Sequence, residues 1–329
     1  MCGIFGILSE KNLSNKEIYN LKKIMDKRGP DSKGVFHDIF DNKYLTFIFS
    51  RLSIIDLDKK ANQPFKKFNK IIMFNGEIYN YLELRKELEN KYKFYTSSDT
   101  EVLVTAYQEY GTNFLKKIEG MFSIIIFDKD KDYIFFCRDR FGEKPLYYYN
   151  HNKKLIFGSE LKYIKQQIRN LSLNNKKISN FLIKGYRTYL NNDDTIYNEI
   201  KTFPKGEYWI YKNGSFKSHK KYWSLNYCPN KNLTTKIATE IVEEKLINSI
   251  KIRLRSDVDV ALSLSGGIDS SLIAAIASKK FNKIIDSFSI IDSDERYNES
   301  KNINSIYKKY EFRKSYKLKL NKKNFIKLD

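Results

Sequence analysis

Short apolar runs recur through the first 150 residues, at 2–8, 44–49, 71–74, 122–127, 133–137 and 146–149, and this spacing limits the fold more than any other feature. Runs this short read as strands, and clusters between them such as Lys129-Asp130-Lys131-Asp132 read as turns. Strands this close imply a largely antiparallel sheet system, because a parallel pair needs a long crossover between its members. Helices are expected over 13–27, along the stripe Tyr81, Leu84 and Leu88, and after Ser97-Ser98-Asp99, where capping residues precede Val102, Ala106 and Tyr110.

The stretch 170–232 is less regular, with Pro204, Pro229 and the turn Asn191-Asn192-Asp193-Asp194, and reads as a domain edge plus linker. From Thr234 the character changes. Ile237, Ile241, Val242, Leu246 and Ile250 mark an amphipathic helix, followed by a strand over 258–264, a glycine loop, a helix over 271–280 and a strand over 284–290. That order is a βαβ unit of a parallel sheet.

With 329 residues, 41% of them hydrophobic, the chain can bury two cores, and no apolar run approaches the roughly 20 residues of a membrane span. The formal charge of +21 comes from 49 Lys and only 11 Arg, with the Lys spread along the whole chain. Phosphate and base readers are usually Arg, so a solvated basic surface is expected, with neither a nucleic acid nor a membrane as partner. Three Cys suit a reducing, cytoplasmic setting, and three scattered His argue against a His-rich metal site.

Cys2 follows the initiator Met directly. If Met1 is removed, thiol and α-amine share one residue, and an amine titrating near 7.7 can serve as base for its own nucleophile. Alone, Cys2 could equally be a small hydrophobe at the start of a strand. It is followed in order by Arg28-Gly29-Pro30-Asp31, Arg51-Leu52-Ser53-Ile54-Ile55-Asp56, Asn75-Gly76-Glu77-Ile78-Tyr79-Asn80 and Ser97-Ser98-Asp99-Thr100-Glu101. Further on stand Arg138-Asp139-Arg140-Phe141-Gly142-Glu143-Lys144-Pro145-Leu146-Tyr147 and Ser159-Glu160-Leu161-Lys162. This set resembles the class II glutamine amidotransferase domain, an N-terminal-nucleophile hydrolase, in its asparagine synthetase branch.

Free glutamine carries a carboxylate, an ammonium and a carboxamide. Arg51 can fork onto the carboxylate, Glu77 and Asp99 can accept from the ammonium, and the Asn75 amide with the Gly76 N–H can donate to a tetrahedral oxyanion. Taken singly, Arg51 could be a surface ion pair, Asn75-Gly76 a hairpin turn and Asp99 a helix cap. The segment Phe141-Gly142-Glu143-Lys144-Pro145 reads as a structural turn, with Lys144 a candidate for the path between domains. Cys137 and Cys228 read as unreactive thiols, and Tyr147-Tyr148-Tyr149 as sheet packing.

Ser263-Leu264-Ser265-Gly266-Gly267-Ile268-Asp269-Ser270-Ser271 lies between strand and helix, where glycines let the backbone curl about an anion. No Lys follows the second glycine, so this is not a G-x-x-x-x-G-K-[ST] loop. It resembles the PP-loop of ATP pyrophosphatases. The resemblance implies that Ser265, Gly266, Gly267, Ser270 and Ser271 cradle pyrophosphate, that Asp269 helps hold Mg²⁺, and that Leu264 and Ile290 flank the adenosine through their backbones.

The combined resemblance implies an α+β N-terminal-nucleophile hydrolase domain (αββα layers) over 2–190, an edge and linker over 191–234, and an incomplete α/β PP-loop (Rossmann-like) domain over 235–329. It implies a glutamine-hydrolysing asparagine synthetase. Cys2 would release ammonia from glutamine, and ATP with Mg²⁺ would activate aspartate as β-aspartyl-AMP for amidation. An amidotransferase acting on another carboxylate, such as a uronic acid, or a chain with glutaminase activity alone, is the alternative. A later family motif, Gly-Glu-Gly followed by a small residue and Asp-Glu, has no match, so a truncated chain is expected; a homodimer is left open.

Overall fold

The computed structural model describes residues 1–185, 193–230 and 232–319, which form two compact units, Met1–Tyr227 and Cys228–Asp329. The expected turn at Asn191 and Asn192 lies outside the described residues. The elements of the first unit are β1 (Gly3–Ser9), α1 (Asn15–Met25), β2 (Ser32–Phe40), β3 (Lys43–Arg51), β4 (Phe65–Lys67), β5 (Lys70–Ile78), α2 (Tyr81–Leu88), α3 (Asp99–Tyr110), β6 (Gly120–Asp128), β7 (Tyr133–Arg138), β8 (Tyr147–His151), β9 (Lys154–Gly158), α4 (Leu161–Lys165), α5 (Asn175–Lys184), β10 (Lys201–Thr202), β11 (Glu207–Lys212) and β12 (Ser215–Lys221).

Two six-stranded antiparallel sheets result, one in the order β10-β8-β9-β1-β3-β2 and the other β12-β11-β7-β6-β5-β4. Side chains alternate across a strand, and three buried clusters follow that alternation. Ile4, Leu8, Phe47, Phe49, Met73, Ile125, Phe127 and Phe136, drawn from both sheets, fill the layer between them. Ile72, Phe74, Ile124, Ile126 and Phe135 turn the other way, onto α2 and α3 through Leu84, Leu88 and Leu103. Phe5, Ile7 and Ile48 of the first sheet turn onto α1 and α4 through Leu21, Met25 and Ile164. The layering is αββα, and it explains why the strands read as unbroken apolar runs: both faces of each sheet are covered.

The structure departs from the sequence reading at the weakly apolar strands. β2, β9, β11 and β12 have little hydrophobic alternation, yet each joins a sheet, β2 pairing with β3, β9 with β1 and β8, β11 with β7, and β12 with β11. Segment 191–234 therefore holds strands of both sheets, and the first unit runs on to Tyr227. Ser98, whose side chain accepts from Thr100 N, caps α3; Asp99 is its first helical residue and not its cap.

The second unit holds α6 (Thr235–Arg253), β13 (Ala261–Ser263), α7 (Ile268–Phe281), β14 (Asp286–Ile291), α8 (Ser300–Lys309) and β15 (Ser315–Lys319), with the three strands parallel in the order β13-β14-β15. Its core is small, centred on Leu264, Ile291 and Ile303. Along the expected stripe of α6 only Ile250 is buried, while Ile237, Ile241, Val242 and Leu246 stay exposed. Among the described residues no helix is long and apolar enough to cross a membrane.

Candidate active site

Along five strands the face turned into the inter-sheet layer changes from apolar to polar at one end. On β5 the run Ile71, Met73 continues as Asn75 and Glu77; on β6 Phe127 and Ile125 give way to Ser123; on β7 Ile134 and Phe136 give way to Arg138. On β3 Phe47 and Phe49 precede Arg51, and on β1 Leu8 and Ile4 lead back to Cys2, which packs against the same core. Asn75, Ser123 and Arg138 lie directly opposite one another across the second sheet. Polar groups gathered at the rim of an apolar layer are a candidate small-molecule site.

Cys2 is half-buried, its Sγ 3.5 Å from the Leu52 N–H that donates to it and 3.6 Å from Leu52 O. Burial pushes its thiol up, and the Leu52 N–H opposes that. Arg28 fixes the residue by donating from Nε to Cys2 O at 2.9 Å, and its Nη1 lies 3.4 Å from Glu160. The terminal amine, here on Met1, is held below its ordinary value by burial; Cys2 works against that, while Arg28 and Lys144 add to it.

Asn75 is 1% exposed, and neither its amide nitrogen nor its amide oxygen has a partner. It stands in mid-strand and not in a hairpin turn. A buried amide left unbonded costs about 1–3 kcal/mol unless something visits it, so this rim holds a donor ready for an oxygen. A Cβ on Gly76 would lie 2.0 Å from Met121 O, which ties that position to glycine.

Glu77 is pushed up to about 8 by burial and by Asp99, with Lys144 opposing. Asp99, buried, is pushed up to about 6 by burial, against hydrogen bonds from Ile78 N at 3.1 Å, from Thr100 N and from Ser98 Oγ. A buried and a part-buried carboxyl close together resist double ionisation and favour a visiting cation.

Arg51 is not a surface ion pair. It is 5% exposed, and its Nη1 donates to Asp58 O and Asn62 Oδ1, its Nη2 to Ile55 O and Asp56 O. Those four contacts equal the hydrogens on the two nitrogens, so the fork is engaged in folding the 55–62 loop. Asp56 ties that loop to α3 by accepting from Ser97 N at 2.7 Å, and Asp31 accepts from Ser53 N at 2.7 Å. The sequence motifs thus meet around one loop.

In the second unit, Leu264 N donates to Phe288 O at 2.8 Å, so the loop leaves the parallel pair at the carboxyl end of β13. Gly266 has φ +85°, which favours glycine, and Gly267 caps α7 without a side chain, leaving the first helical N–H groups free. Ser265 Oγ and Ser270 Oγ are 3.1 Å apart across the loop, and Ser271 Oγ donates to Gly267 O at 2.6 Å. Free N–H groups, hydroxyls and the helix dipole fit a polyphosphate. Asp269 is exposed in the first turn; one carboxylate beside phosphates is a common Mg²⁺ arrangement, although the described residues hold no group of three acidic, His or Cys side chains. Ile290, on β14 two residues beyond Phe288, is exposed.

Sequence reasoning passed over Ser123, Arg138 and Asp139 as site builders. The available signal was that each strand's inward row ends in a polar residue at the same end.

Residues 1–223 match the glutamine amidotransferase domain family, and residues 241–328 match the asparagine synthase family. Asparagine synthetase [glutamine-hydrolyzing] 1 of Bacillus subtilis is 35% identical over 88% of this chain and 46% of its own length. Asparagine synthetase B [glutamine-hydrolyzing] of Escherichia coli is 34% identical over 85% of this chain and 45% of its own. The chain spans about half the length of the curated relatives it matches. A solved glutamine phosphoribosylpyrophosphate amidotransferase from B. subtilis aligns over 97% of this chain and 81% of its own, with 14% identity and a TM-score of 0.49. The chain belongs to the glutamine amidotransferase family, with an asparagine synthase segment following the amidotransferase domain.

Proposed function

We propose that the first unit hydrolyses glutamine at Cys2 and that the second binds ATP with Mg²⁺, so that the released ammonia amidates an activated carboxylate, that of aspartate. The observation that carries the hydrolytic half is the unpartnered, buried Asn75 amide on the same polar rim as Cys2.

Once Met1 is removed, the Cys2 amine takes the thiol proton, and Sγ attacks the carboxamide carbon. Asn75 and the Gly76 N–H take the developing oxyanion; the amine then returns the proton to the departing ammonia, leaving a thioester that water opens to glutamate. Glu77 and Asp99 hold the substrate ammonium, and Arg51 takes the carboxylate by exchanging one of its loop carbonyls for it. In the second unit Ser265, Gly266, Gly267, Ser270 and Ser271 would hold the phosphates, Asp269 the Mg²⁺, and the backbones of Leu264 and Ile290 the adenosine. Mg²⁺ supplies charge neutralisation at the phosphates.

The test is threefold: mass spectrometry for loss of Met1, release of glutamate and ammonia from glutamine, and modification of Cys2 by a glutamine-like chloromethyl ketone. Peptide mapping is needed because Cys228 is exposed. An unmodified Cys2 with no glutamate release overturns the hydrolytic half. Pyrophosphate release that depends on a uronic acid and not on aspartate overturns the choice of acceptor.

A further inference from the structure

The turn between β7 and β8 is secured far beyond what a connection needs. Asp139, 1% exposed, accepts from four backbone N–H groups: Phe122 at 3.2 Å, Phe141 at 3.0 Å, Glu143 at 2.9 Å and Lys144 at 3.0 Å. Arg138 donates to three carbonyls: Lys144 at 2.7 Å, Gly142 at 2.7 Å and Phe203 at 2.8 Å. Ser123, which stands opposite Asn75, lies 3.2 Å from both Lys144 O and Pro145 O. These bonds converge on Lys144, whose N–H and carbonyl are both held.

The side chain so delivered is buried, at 7% exposed, and among the described residues its ammonium makes no hydrogen bond or ion pair. Its stem is packed away, while Nζ is not among the fully enclosed unpartnered atoms, so the charge is held at the site on a buried stem and without a fixed partner. The charged and titratable groups facing it are Glu77, Arg28, Cys2, Glu143 and the terminal amine. Glu77, the strongest of these, is faced in turn by Asp99 and the same amine.

We propose that Lys144 is a positioning residue of the glutamine site, its ammonium serving as the counter-charge against which Glu77 accepts the ammonium of the substrate. The proposal rests on the hydrolytic reading above. Glu77 and Asp99 face the substrate ammonium as two crowded carboxyls, and Lys144 offsets the second negative charge they must carry when it binds. Its larger effect therefore falls on substrate affinity, since Glu77 is the first of the groups it faces, while Cys2 and the amine, which it also faces, feel it less.

The experiment uses the full chain with Lys144→Met, Lys144→Gln and Lys144→Arg, following glutamate release. A Glu77 that is ionised one-tenth as often raises the apparent KM for glutamine about tenfold, so Lys144→Met and Lys144→Gln raise KM by that factor at pH 7 while kcat changes less than about threefold. Lys144→Arg, which keeps the charge, restores KM to within about threefold. At pH 9 the ratio of neutral-variant to wild-type KM shrinks, because Glu77 ionises with less help. An unchanged KM in both neutral variants overturns the proposal, as does a rise that is the same at both pH values and persists in Lys144→Arg. A wild type that releases no glutamate and whose Cys2 resists modification overturns the hydrolytic reading, and the proposal with it; an active wild type beside unaffected variants overturns the proposal alone.

Discussion

Glu77→Gln makes the first unit more stable at neutral pH even though it removes a residue of the site. Glu77 has an ordinary value of 4.5 and stands at about 8 when folded. Below pH 4.5 the carboxyl is neutral in both states and the fold bears no charge there. Between 4.5 and 8 the unfolded chain releases the proton while the folded one keeps it, so stability falls as pH rises, by about 1.36 kcal/mol per pH unit. Two pH units, from 5 to 7, give about 2.7 kcal/mol; part of the side chain remains near water, which trims this to about 2 kcal/mol. The glutamine variant lacks this slope. Both tryptophans, Trp209 and Trp223, belong to the first unit, so their fluorescence in urea reports that unit. The expected result is a wild-type ΔG that drops about 2 kcal/mol further than that of Glu77→Gln between pH 5 and 7. Parallel pH profiles refute the argument that burial and Asp99 hold a proton on Glu77.

Asn75→Ala is expected to lower kcat for glutamine hydrolysis about 10²–10³-fold with little change in KM, since the role proposed for the amide is toward the oxyanion and not the bound substrate. Gly76→Ala places a Cβ 2.0 Å from Met121 O, so the β5–β6 pairing must shift; a loss of about 2–3 kcal/mol in urea unfolding is expected. Gly266→Ala combines a φ of +85° with a Cβ 3.1 Å from Asn302 Cβ. A rise of about tenfold in Kd for ATP, by calorimetry, is expected, because about 1–2 kcal/mol of strain opens the loop.

The central strands were legible because both their faces are buried, which leaves unbroken apolar runs such as Phe122-Ser123-Ile124-Ile125-Ile126-Phe127. β12 was not, because Lys217, Lys220 and Lys221 face solvent on an edge strand, where pairing with β11 and not burial makes the strand. The motifs named Cys2, Asn75, Glu77 and Asp99, and the fold brings their segments to the same rim. Two details were not legible. The engagement of Arg51 by carbonyls of its own loop depends on backbone paths that no spacing reveals. The convergence of Ser123, Arg138 and Asp139 on Lys144 joins residues from two strands and a turn, which only sheet register brings together. In the second unit the βαβ order was readable, while the exposure of the α6 stripe was not, since periodicity tells which face is apolar and not what covers it.

The seating of β1 has a consequence for the life of the nascent chain. β1 is bonded on one side to β3 and on the other to β9, whose partner residues are Leu155 to Gly158. The first strand made is therefore clasped by one made some 150 positions later. At about 5–20 residues per second, roughly 8–30 s pass before the second clasp exists. In the finished fold Met1 is still 53% exposed, while its amine is partly withdrawn beside Arg28 and Lys144. Removal of Met1, which the proposed hydrolysis at Cys2 requires, therefore has its most open window before the sheet is complete. Pulse-labelled ribosome-bound chains stopped before residue 150 should already carry Cys2 as their first residue.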